Sequence, residues 1–185
     1  MYNEEIKNLE EKMKGVIEAT NREFTSIRTG RANPSILDRV LVDYYGTPTP
    51  IAQCATIAVP EPRMMTITPW DKAMLSKIEK TISNSDIGLV PANDGNMIRL
   101  AIPHLTEERR KELVKVAKKS AEDMRVAARN IRRDANEAVK VLEKDKMITE
   151  DDLKRAQDEI QKATDKYIAE IDKLLAAKEA EIMQV

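Results

Sequence analysis

The sequence predicts an α+β protein: a long antiparallel three-helix bundle interrupted by a small inserted α+β domain. Three observations predict it. All eight prolines fall between Pro34 and Pro103, leaving residues 1–30 and 104–185 with none. Both proline-free flanks carry apolar residues three and four positions apart, the rhythm of one buried helix face. The middle instead holds short β-type runs bounded by Pro and Gly. Proline removes a backbone donor and clashes with the preceding helical turn, so its segregation marks where the helices stop. The expected domains are residues 1–30 with 104–185, and residues 31–103.

The first long helix covers roughly Asn3–Arg28, with Ile6, Leu9, Met13, Val16, Thr20, Phe24 and Ile27 on one stripe. Within the insert, Val40–Tyr45, Cys54–Val59, Arg63–Thr68 and Met97–Ile102 read as strands. Tyr44–Pro50 (YYGTPTP) reads as a tight, rigid turn. Asp71–Ser83 reads as a short helix, with Asp71 placed to cap it and Met74, Leu75, Ile78 and Ile82 apolar. The second long helix runs from about Glu107 to Glu143, with Thr106 as N-cap and two glutamates in its first turn. Its apolar stripe is Leu113, Ala117, Ser120, Met124, Ala127, Ile131, Ala135, Ala138 and Leu142. The third opens at Thr149-Glu150-Asp151-Asp152, a capping-box pattern with Asp in the last place. It continues through Leu153, Ala156, Ile160, Thr164, Tyr167, Ile171, Leu174 and Ile182. The short link Lys144–Ile148 makes the last two helices antiparallel neighbours. At ~1.5 Å per residue each would exceed ~50 Å, a length stable in water only when the stripes pack together.

Composition narrows the function. The chain has 185 residues, and no apolar run reaches the ~20 residues of a membrane span. The acidic start does not resemble a signal peptide. A single cysteine, Cys54, excludes an internal disulfide or a Cys-rich zinc site and suits a reducing cytoplasm. A single histidine, His104, leaves little for His-based catalysis or metal binding. Phosphate-cradling glycine loops and metalloprotease motifs are absent. The reading is a cytoplasmic non-enzyme, a monomer without cofactor, metal or membrane partner.

Net charge is −1, from 31 basic and 32 acidic residues, but the distribution is uneven. Residues 109–133 carry ten basic and three acidic side chains, whereas 134–185 carry nine and fourteen. On the second long helix, Lys111, Lys115, Lys118, Glu122, Arg125, Arg129 and Arg132 repeat in the apolar rhythm, offset by two residues, or ~200°. A solvated stripe normally mixes signs to gain i,i+4 pairs; this one, with a single acid, needs compensation from outside. Its Arg-rich end, including Arg133, has the planar forks that suit phosphates. Few aromatics are available to stack on bases, which favours a folded RNA read by shape and backbone. The pattern alone fits such a phosphate backbone or an acidic groove on a protein.

Longer motifs add a resemblance. The segments 27–35 (IRTGRANPS), 44–50 (YYGTPTP), 105–111 (LTEERRK) and 126–136 (VAARNIRRDAN) are similar to those of the bacterial ribosome recycling factor family. The likeness extends over the whole chain to the KEAE ending at 178–181. The resemblance implies an L-shaped, transfer-RNA-sized molecule, a three-helix bundle joined by a flexible hinge to a β/α/β sandwich. It implies entry into the intersubunit space of the post-termination ribosome. There, elongation factor G and GTP hydrolysis on that partner separate the subunits and release messenger and transfer RNA. The factor itself would be neither GTPase nor nuclease. Ribosomal-RNA contacts are implied at Arg110, Arg129 and Arg132, of which the ridge contains the last two. Arg133, Arg125, Lys118, Lys111 and Arg28 are further candidates on the same arm. The expected hinge comprises Gly30, Arg31, Asn33, Pro34, Pro103, His104 and Leu105.

Overall fold

The computed structural model describes residues 2–184, and within it the long helices dominate. They are α1 (Asn3–Ser26), α3 (Glu107–Lys144) and α4 (Glu150–Met183); α2 (Leu75–Ser83) is a short helix of the insert. Thr106 caps α3 by accepting from Arg109 N, and Thr149 and Asp152 form a complete capping box at α4. Asp thus serves at the third position as well as the usual Glu. The hydroxyl of Tyr2 donates to Glu159, and that of Thr29 to Glu181. Both ends of α1 therefore match α4 in the same order: α1 and α4 run parallel, and α3 runs opposite to both.

The chain divides into two compact units, residues to Thr29 together with those from Thr106 onward, and Gly30–Leu105. The sequence boundaries put Gly30, His104 and Leu105 on the bundle side, whereas they group with the insert. A Cβ on Gly30, whose φ is +77°, would stand 3.3 Å from the Leu105 side chain, so the two connections touch within the insert.

In the bundle, Leu9, Met13, Ala128, Ala135, Val139, Ala156, Ile160 and Tyr167 form one buried cluster. The expected stripes of α1 and α4 match this core closely, while that of α3 matches at Leu113, Ala117 and Ala135 and is rotated by one position elsewhere. Ala121, Ala128 and Val139, one position on from the expected Ser120, Ala127 and Ala138, are as deep as the expected Ala117. The reason is that α3 packs against both α1 and α4, so its hidden face is an arc wider than one stripe.

The insert contains a β1–β2 hairpin and an antiparallel sheet of order β3-β4-β6-β5. The strands are β1 (Leu41–Tyr44), β2 (Thr47–Pro50), β3 (Ala55–Glu61), β4 (Met64–Pro69), β5 (Pro91–Asn93) and β6 (Ile98–Ala101). The segment expected to be all turn contains a strand. Only Tyr45 and Gly46, both at positive φ, make the reversal, and Thr47–Pro50 pairs back on Leu41–Tyr44. Pro48 and Pro50 fit there because alternate residues of a two-stranded edge point their missing N–H outward. Asp71 caps a 3-10 turn, Lys72–Met74, that leads into α2. Val42, Met65, Ile67, Ile78, Ile82, Ile98 and Leu100 are buried together, so hairpin, helix and sheet share one core. Cys54 is buried in it, and burial pushes its thiol pKa up.

Candidate nucleic-acid interface

The predicted cationic ridge on α3 has two characters. Its N-terminal lysines stand out in solvent, with the side chains of Lys111 and Lys118 65% and 63% exposed. Its arginines do not: Arg125 is 21% and Arg129 39% exposed, and Arg132 is half-buried. The ~200° offset expected between ridge and core fails at this end for the reason that rotates the seam. With Ala121 and Ala128 deepest, Arg125 and Arg132 lie four positions on, ~40° away on a 3.6-residue helix. Both reach across to α4 through their guanidinium heads.

The expectation that repulsion along the ridge needs outside relief is also corrected, because the chain supplies its own counter-charges. Lys111 pairs with Glu107 at 3.1 Å, and Arg109 with Glu112 at 2.8 Å. Arg125 donates through Nε to Asp172 of α4 at 2.7 Å and through Nη1 to Glu122 at 3.0 Å. Arg129 donates to the other oxygen of Glu122 at 2.9 Å. Arg132 reaches Gln161 of α4 at 3.5 Å, and Gln161 in turn donates to Asp165 at 2.8 Å. Burial works against the charge of Arg125, but its bonds to Asp172 and Glu122 outweigh that and raise its pKa above the ordinary value. Sequence spacing missed Asp172 and Gln161 because they lie 47 and 29 residues from their arginines.

Arg110 is half-buried in the second turn of α3, Arg133 is exposed further along it, and Arg28 is exposed just beyond α1. The stretch Arg125, Arg129, Arg132 and Arg133 spans about two turns. Planar forks at that spacing, two of them held by α4, can take successive phosphates of a folded RNA.

The expected hinge residues are anchored unevenly. Thr29 is tied to Glu181 of the bundle at 3.0 Å. Ala32 N donates to Pro62 O of the insert at 2.7 Å, and Asn33 caps the 3-10 turn that Pro34 opens. On the return path, Ile102 N donates to Arg63 O at 2.8 Å, and Thr106 already belongs to α3. In sequence, Gly30–Arg31 and Pro103–Leu105 lie between these bonds. His104, exposed, accepts from the Arg63 guanidinium. Among the described residues no helix is long and apolar enough to cross a membrane, and no group of three or more His, Cys, Asp or Glu is placed to hold a metal.

Comparison with known proteins gives a consistent result. The family model described as ribosome recycling factor matches residues 20–183. The ribosome-recycling factor of Oleidesulfovibrio alaskensis is 60% identical over 176 residues, 95% of this chain and 96% of that protein. That of Clostridioides difficile is 61% identical over 179 residues, 97% of each. A solution structure of a ribosome recycling factor covers 100% of this chain and 98% of its own, with 43% identity and a TM-score of 0.75. A second similar structure comprises models for the T. thermophilus ribosome recycling factor and the E. coli elongation factor G bound to the E. coli post-termination complex. It has 43% identity, a TM-score of 0.65 and full coverage of both chains.

Proposed function

This chain belongs to the ribosome recycling factor family, and from that premise we propose that it acts on the ribosome after translation has terminated. It binds the intersubunit space of the post-termination ribosome in the cytoplasm. With elongation factor G and GTP it separates the subunits, so that messenger RNA and deacylated transfer RNA leave. GTP is hydrolysed by the partner, and this chain supplies binding and leverage rather than a chemical step. The observation that carries the reading is similarity at about 60% identity over nearly the whole of both chains, bundle and insert alike.

The bundle offers large-subunit RNA the arginines of α3. Arg110, Arg129 and Arg132 are its main contacts, with Arg133, Arg125, Lys118, Lys111 and Arg28 adding positive potential. Partners already in place, Gln161 of α4 for Arg132 and Glu122 of the same helix for Arg129, support this role, because a pre-ordered guanidinium loses less freedom on meeting a phosphate. The insert moves as a unit on its two connections to the bundle, with the hinge at Gly30–Pro34 and Pro103–Leu105. Gly30 gives freedom at a positive φ and Pro103 limits it.

Binding to purified large subunits across a salt series tests this reading. Phosphate contacts release counterions, so log affinity should fall steeply and linearly with log salt. Arg132→Ala should weaken binding and lower that slope by about one, the loss of a single phosphate contact, with urea unfolding unchanged. Affinity that ignores both salt and the Arg132 substitution would leave an acidic protein groove as the partner of this face.

A further inference from the structure

One member of the ridge has the wrong sign for a phosphate-binding surface. Glu122 stands in register among Lys111, Lys115, Lys118, Arg125, Arg129 and Arg132. It is half-exposed and uses both carboxylate oxygens on that same stripe: Oε2 accepts from Arg125 and Oε1 from Arg129. Arg125 is held from a second side by Asp172, so a continuous path of contacts runs from α4 through Asp172, Arg125 and Glu122 to Arg129. The Arg129 Nε is buried without an acceptor, and Glu122 is the only carboxylate paired with Arg129 among the described residues. The orientation of the Arg129 head thus depends on a single acid two turns back along the helix.

We propose that Glu122 is a positioning residue of the RNA-phosphate site, holding the Arg129 guanidinium ready for a phosphate. This rests on the reading of α3 as the ribosomal-RNA face. A long arginine side chain with many rotamers loses freedom when it is fixed on a partner. An acid that fixes it beforehand removes part of that loss from the binding step. Simple charge counting predicts the opposite sign, since deleting an acid adds one positive charge to the surface and should tighten binding to RNA. The two accounts therefore disagree about the direction of a measurable change.

The experiment is equilibrium binding of the full chain to purified large ribosomal subunits across a salt series. It compares the parent with Glu122→Ala, Glu122→Gln, Arg129→Ala and the double variant Glu122→Ala/Arg129→Ala. Glu122→Ala should bind about three- to tenfold more weakly, the cost of ordering the Arg129 side chain on binding. Glu122→Gln, which keeps one accepting oxygen, should fall between it and the parent. In the Arg129→Ala background the Glu122 effect should vanish, because two residues acting through one contact are not additive. Glu122 is exposed, and urea midpoints for the four variants identify any loss that comes from unfolding. Glu122→Ala binding equal to or tighter than the parent overturns the proposal, as does a loss that persists without Arg129. If Arg129→Ala and Arg132→Ala both bind like the parent, the RNA-face reading has failed first, and the role of Glu122 falls with it.

Discussion

At Thr149 and Asp152 two residues decide where a 34-residue helix begins. The Thr149 hydroxyl accepts from Asp152 N, and the Asp152 carboxylate accepts from Thr149 N, each at 3.1 Å. Thr149→Ala should cost about 1 kcal/mol, the usual loss for an N-cap, read from urea unfolding. Those bonds from Thr149 hold the Asp152 carboxyl below the ordinary carboxylate range. The sign follows from the fold favouring the charged form. Its stabilising contribution is complete above the unfolded-state pKa and is lost as pH falls through the lower, folded value. Asp152→Ala should therefore be less stable than the parent at neutral pH, and the gap should close in acid. A gap that stays constant across that range would mean that the carboxylate charge is not what the cap uses.

Among the elements, the long helices were legible because propensity, capping and apolar spacing agree over windows of two dozen residues or more. β2 and β5 were not. Thr47–Pro50 has two prolines and Pro91–Asn93 is three residues long, so each is a strand only because a partner strand stands beside it. The turn of α3 about its axis was hidden for a related reason: which arc of a helix is deepest depends on how many helices it meets. The candidate interface was half legible. Lysine and arginine spacing located the ridge, but the residues that orient its arginines come from α4, and no local pattern connects Arg125 to Asp172. Ala117, Ala121 and Ala128, all fully buried, set how closely the neighbouring helices approach. Ala128→Leu should destabilise the bundle by about 1–3 kcal/mol through overpacking, while Ala92→Leu, on an exposed position of β5, should change the urea midpoint little.

For the whole molecule, two compact units with separate cores predict more than one unfolding transition. The single tryptophan, Trp70, lies in the insert, its indole N–H bonded to Thr56 at 2.9 Å. Its fluorescence reports that unit alone. Helical circular dichroism is dominated by the bundle, which among the described residues holds three of the four α-helices and all the long ones. The two signals should give different midpoints in one urea titration. Coincident curves would show that the units unfold as one. α3 and α4 adjoin in sequence, whereas α1 meets α4 through contacts 152 and 157 residues apart. By the cost of closing long loops, the α3–α4 hairpin forms early and α1 docks last.

The interrupted bundle also matters while the chain is being made. α1 is complete at Ser26, but the helices that cover Leu9 and Met13 begin at Glu107 and Glu150. At about 5–20 residues per second, the first helix waits on the order of ten seconds for both. Throughout that interval it is a 24-residue amphipathic segment with no partner, too marginal to hold its own shape in water. The insert can close its core in the meantime, since all of it has been synthesised before α3 begins. The nascent chain is thus a finished small domain trailing a sticky leader, a natural client for whatever shields apolar segments at the exit tunnel.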